Sequence, residues 1–132
     1  MKTSHLQNKI LNAALCFAIA GIALPTISKE PAFAQNSVAC NCVLYARTLV
    51  PSLPRGLFTL QNKKNIINSY TPSKGAVAVI DSGHEWGHVA VVTDVSSDGT
   101  TVTIQESNWG RCRIGSRTGS PQRLNILGYF QP

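Results

Sequence analysis

The chain has 132 residues, with 12 Lys and Arg against 6 Asp and Glu and a formal net charge of +6. With 43% hydrophobic and 14% charged residues it is too apolar for a disordered chain, and its length suits one small domain. The basic balance favours an anionic partner, but Arg111, Arg113, Arg117 and Arg123 cluster without the interleaved aromatics of a nucleic-acid platform, so they read as a solvated basic face and no nucleic-acid partner is expected.

The first element is a targeting segment. Lys2, His5 and Lys9 accompany an apolar run over residues 10–24, and Ala32-Phe33-Ala34 offers the small-x-small pattern of signal cleavage. The run ends at Pro25 and is shorter than the roughly twenty residues a membrane helix needs. We therefore expect residues 1–34 to be a cleavable signal peptide and residues 35–132 the working domain, secreted or periplasmic, with no stable membrane anchor. Cleavage near Ala34 removes Cys16 and leaves Cys40, Cys42 and Cys112. An odd number in an exported protein suggests one bridge and one free thiol, without saying which cysteine is free.

Residues 41–50 carry Cys42, Tyr45, Ala46 and Leu49 at the i, i+3, i+4, i+7 spacing of a helix face, stopped by Pro51 and Pro54. Asn41 fits the N-cap, which puts Cys42 in the first turn, where unpaired amides and the helix dipole favour a thiolate. A plain buried position would suit a cysteine equally well. Residues 57–70 read as a second, less amphipathic helix with Lys63 and Lys64 exposed. After the turn Thr71-Pro72-Ser73-Lys74-Gly75, short β-branched segments follow at 76–80, 89–95 and 101–105, with further strands near 111–116 and 124–130. Asp98-Gly99 marks a hairpin between the second and third. Helices first and an antiparallel sheet after define an α+β domain.

One segment supports two chemistries. His84-Glu85-Trp86-Gly87-His88 spells H-E-x-x-H, the zinc-protease motif, which needs a helix to bring both imidazoles to one face. Gly83 and Gly87 each weaken such a helix by about 1 kcal/mol relative to Ala, β-branched runs flank it, and no downstream His offers a third ligand, so no metal is expected. The other chemistry puts His88 at the start of a strand as a general base. Glu106, at the end of the next strand, falls at the same open end of the hairpin. A carboxylate there would fix the imidazole tautomer and leave the other nitrogen for the Cys42 thiol. Taken singly, His88 also reads as a satisfied structural histidine and Glu106 as an exposed strand-end charge.

Asn41-Cys42-Val43-Leu44-Tyr45-Ala46, Pro72-Ser73-Lys74-Gly75-Ala76-Val77-Ala78-Val79, Gly87-His88-Val89-Ala90-Val91-Val92, Glu106-Ser107-Asn108-Trp109 and Gly128-Tyr129-Phe130-Gln131-Pro132 together resemble the CHAP domains. These are the cysteine, histidine-dependent amidohydrolases and peptidases. The resemblance implies a papain-like α+β fold, with N-terminal helices packed on a small antiparallel sheet, and a peptidoglycan hydrolase acting without a cofactor. It is expected to be either an N-acetylmuramoyl-L-alanine amidase or an endopeptidase, working as a monomer with bacterial peptidoglycan as its partner. By motif, Cys42 becomes the nucleophile, His88 the base and then acid, Glu106 the residue orienting His88, and Asn108 a further polar member. The reaction would pass through a thioester, with the Cys42 amide and the Asn41 side chain at the oxyanion. Asn41, Trp86 and Trp109 are the expected substrate contacts.

The sequence departs from the family pattern twice. Asn41 stands where the family usually carries Gln, and the second helical stretch lacks the tryptophan of many relatives. With Cys42 as nucleophile, Cys40 and Cys112 remain to pair, closing a loop of about seventy residues worth roughly 4 kcal/mol. A Cys40-Cys42 bridge would instead block the nucleophile and act as a redox switch. The competing function is a non-catalytic wall-binding or toxin-associated module of the same fold.

Overall fold

A computed structural model describes residues 37–132, so the expected signal segment, residues 1–34, lies outside the described residues. Among the described residues, after a short helical stretch at 37–39, helices α1 (Cys42–Leu49) and α2 (Leu60–Lys64) precede five strands: β1 (Val77–Ile80), β2 (His88–Val95), β3 (Val102–Ser107), β4 (Ile114–Gly119) and β5 (Ile126–Phe130). The strands form one antiparallel sheet in the order β4-β3-β2-β1-β5. This is the α+β order expected from the sequence.

The Asn41 cap and the Asp98-Gly99 turn are those expected from the sequence, and a further cap starts the second helix. Asn41 Oδ1 accepts from the amides of Val43 and Leu44, each at 3.0 Å, and so starts α1. Thr59 and Asn62 form a capping box at α2. Asp98 Oδ1 accepts from the Thr100 amide at 3.1 Å, while Gly99 takes the positive φ that the turn between β2 and β3 requires.

Both faces of the central strands are covered, which is why β1 is buried throughout and shows no polar alternation. Val77, Val89 and Val91 pack with Ala46, Val50, Leu53 and Leu57 on the helix side. Ala78, Ile80, Ala90 and Val92 pack with Val102, Ile104 and Tyr129 on the other side. Cys42 packs against the helix-side cluster, while His88 and Glu106 share the strand face of Ala90, Val92 and Ile104.

Three features differ from the sequence reading. The helix expected over residues 57–70 is only Leu60–Lys64. Its first amide is spent on an outside partner, Leu60 N donating to Glu85 O at 2.7 Å, and beyond it the Asn68 and Ser69 amides donate to Tyr129 O. Tertiary pairing overrides local helical preference there. Lys63, expected in solvent, is 2% exposed. Its Nζ donates to Leu57 O at 3.0 Å and Trp86 O at 2.7 Å, tying α2 to the segment before β2. Finally, β4 begins at Ile114 because the preceding residues turn through Asn108 and Gly110, both at positive φ, and are held by a disulfide between Cys112 and Cys40.

Candidate active site

Three elements converge at one end of the sheet. Cys42 opens α1, His88 opens β2, and Glu106 stands one residue before the end of β3. His88 and Glu106 are 4% and 2% exposed, and His88 Nε2 lies 3.0 Å from Glu106 Oε2. The carboxylate thus accepts from Nε2 and leaves Nδ1 for the thiol. Cys42 is the free cysteine among the described residues.

The electrostatics follow from this packing. Burial alone would push the Cys42 thiol up, but His88, by hydrogen bond and charge, the Val89 amide and the Lys63 ammonium bring it below the usual thiol value. Burial would lower His88, yet contact with Cys42 and Glu106 raises it above an ordinary imidazole. Burial would likewise raise Glu106, and His88 with Arg117 hold it below the ordinary carboxylate range. Such an arrangement stabilises a thiolate beside an imidazolium, which is the reactive state of a cysteine nucleophile.

Glycine geometry aims His88. Gly87 has φ +57, and a Cβ there would sit 2.6 Å from Leu60 Cδ1 and 3.0 Å from the Leu60 backbone. The chain before β2 can therefore lie against α2 only with no side chain at that position. Residues 84–87 form a turn, with the Gly87 amide donating to His84 O, and His84 is exposed while His88 is buried. The helical spacing that H-E-x-x-H requires is absent, which removes the geometric basis of the zinc reading.

The family model of the CHAP domain matches residues 33–108, more than half of the chain. The chain belongs to the CHAP domain family. No curated protein matches it significantly. Among solved structures, Ly7917 with the hydrolyzing product of MDP is similar at 17% identity and a TM-score of 0.49, over 75% of this chain and 61% of that one. A second crystal structure of Ly7917 gives 18% identity and a TM-score of 0.48 over the same shares. The chain thus spans under two thirds of the structures it resembles.

In this CHAP domain Cys42 and His88 border a groove of about 850 Å³, with Glu106 behind His88. Trp86 and Trp109, the two aromatic residues expected as substrate contacts, line it at 60% and 38% exposed. Phe58, just ahead of α2, adds an exposed aromatic that the sequence reading did not foresee. Asn41 lines the groove with Oδ1 committed to the α1 cap, leaving its Nδ2 amide. Asn108 also lines it, but its Nδ2 donates to Cys40 O at 2.8 Å and so fastens the strand end to the residue bridged to Cys112.

Two further residues of the site escaped the sequence reading. Arg117, taken for part of a solvated basic face, donates from Nε to Glu106 Oε1 at 2.5 Å and from Nη2 to Oε2 at 2.9 Å. Its signal was the β3-β4 register. Glu106 pairs with Gly115, so Arg117 is the diagonal neighbour on the same face, and the glycine leaves the space above the carboxylate open. Lys63 gave no local signal, since its stem is buried by tertiary packing alone.

Proposed function

We propose that the protein hydrolyses an amide bond of bacterial peptidoglycan, either the N-acetylmuramoyl-L-alanine bond or a peptide bond of the stem or cross-bridge. Cys42 is the nucleophile, His88 the base and acid, and Glu106 the group that orients His88. The observation carrying this reading is the buried Glu106-His88 pair at 3.0 Å, with the low-lying Cys42 thiol on the other side of the imidazole and the groove above it. CHAP membership supports it.

In the reaction the Cys42 thiolate attacks the carbonyl carbon and forms a C–S bond. The oxyanion is met by the Cys42 amide and the Asn41 Nδ2 group. His88 gives its proton to the departing nitrogen as the C–N bond breaks, leaving a thioester. His88 then takes a proton from water, whose oxygen attacks the thioester and releases a carboxylate and the thiolate. Trp86, Trp109 and Phe58 hold the substrate in the groove.

Export belongs to the same proposal, with residues 1–34 as a signal removed near Ala34 and the mature domain acting outside the cytoplasmic membrane. Mass spectrometry of fragments released from purified peptidoglycan tests the reaction and reports the bond. New termini at the muramoyl-alanine junction or within the peptide fit the proposal, and cleavage confined to glycosidic bonds refutes it.

A further inference from the structure

The imidazole of His88 interacts with the Cys42 thiol, the Glu106 carboxylate and the Trp109 ring. Trp109 meets it edge-on, with ring centroids 5.0 Å apart and planes at 66°. One side chain braces two of these three. The Arg117 guanidinium forks onto both oxygens of Glu106, and its central carbon lies 3.7 Å from the centroid of the Trp109 ring. A planar guanidinium can bind a carboxylate edge-on and an aromatic ring face-on at once, which an ammonium cannot do.

This arrangement has consequences for a carboxylate only 3% exposed in its side chain. Glu106 Oε2 is shared between His88 Nε2 and Arg117 Nη2, and Oε1 is occupied by Arg117 Nε. Without the fork, Oε1 loses its partner and the carboxyl is free to rotate away from Nε2. Without the stacked cation, Trp109 loses the support on one face that keeps its edge against His88. The charged groups around the imidazole come from every element packed there: Cys42 from α1, Glu106 from β3 and Arg117 from β4, with Lys63 of α2 acting on Cys42. Arg117 lies beyond residue 108, where the family match ends.

We propose that Arg117 is a positioning residue of this site, a clamp that holds the Glu106 carboxylate and the Trp109 ring about His88 and so fixes the imidazole toward Cys42. The proposal rests on the hydrolase reading for its effect on turnover, but the orientation of His88 toward Cys42 is measurable without substrate.

The test compares wild type with Arg117→Lys, which keeps the charge and loses the fork and the stack. A second pair adds Arg117→Lys to Glu106→Gln. Each folded protein is assayed for the pH dependence of Cys42 alkylation by iodoacetamide, and for kcat and KM on peptidoglycan fragments. Arg117→Lys is expected to move the alkylation profile to higher pH and to lower kcat by roughly ten- to a hundredfold with KM little changed, since misplacing a reacting group by about 1 Å costs that order. In the Glu106→Gln background the same change is expected to cost much less, because the group it positions is already altered.

An unchanged alkylation profile and unchanged kcat in folded Arg117→Lys overturn the proposal, as does full additivity with Glu106→Gln. If wild type releases nothing from peptidoglycan, the hydrolase reading falls, while the alkylation profiles still decide the role of Arg117.

Discussion

Replacing Gly87 by Ala asks whether the turn before His88 is held against α2 as closely as described. Gly83 is the internal control. Both glycines sit at positive φ, +57 for Gly87 and +75 for Gly83, so each substitution incurs the left-handed penalty of roughly 1–2 kcal/mol. Only at Gly87 would the new Cβ meet another group, Leu60, at 2.6 Å from Cδ1 and 3.0 Å from Cα, while Gly83 has nothing within 4 Å. The contacted atoms include backbone at the start of α2, which cannot swing aside. Overpacking of this kind costs about 1–3 kcal/mol, and a domain of this size loses about 4–8 °C in Tm per kcal/mol. Gly87→Ala should therefore melt roughly 5–20 °C below Gly83→Ala, followed by circular dichroism on the two variants in parallel. Because Leu60 N and Lys63 Nζ bond to Glu85 O and Trp86 O, the same displacement should slow alkylation of Cys42 in Gly87→Ala alone. Equal melting temperatures for the two variants would refute the close approach and the account of how His88 is aimed.

Other predictions concern charge and capping. Cys42 is lowered and His88 raised, so kcat/KM should rise with pH as the pair loses its first proton and fall as it loses its second. The acid limb then lies below the ordinary thiol value of 9.0 and the alkaline limb above the ordinary imidazole value of 6.5, and a profile with no alkaline limb contradicts the ion pair. For stability, Glu106 is depressed in the fold, so its contribution is present above the ordinary carboxylate value and lost as pH falls through the depressed one. Tm should drop on acidification through that window, and less steeply in Glu106→Gln. Lys63→Met removes a cation that lowers Cys42, so iodoacetamide should react several-fold more slowly at neutral pH. Asn41→Ala leaves the Val43 and Leu44 amides without their acceptor and should cost about 1 kcal/mol by urea unfolding.

Much of this domain is legible in its sequence because the informative residues sit at the ends of strongly patterned elements. Cys42 follows an N-cap, His88 opens a β-branched run, and Glu106 closes the strand across a hairpin with an Asp98-Gly99 turn. Strand periodicity and turn chemistry suffice to bring the last two to one end of the sheet. What escaped depends on contacts between elements. The helix expected over residues 57–70 shrinks to Leu60–Lys64 because its flanks bond to Glu85 and Tyr129, partners far away in the chain. Lys63 looks solvated until Leu57 O and Trp86 O are seen to receive its ammonium. Arg117 is one of four similar arginines, and only the β3-β4 register singles it out.

The central claim is that Cys42 attacks an amide of peptidoglycan. Its most direct test is the release of new amino groups from purified peptidoglycan by wild type and by Cys42→Ala, with binding to the insoluble wall measured alongside. Wild type should release amino groups steadily and Cys42→Ala none, with wall binding retained by both. Wall binding by wild type without release of amino groups, or equal release by both proteins, would contradict that claim.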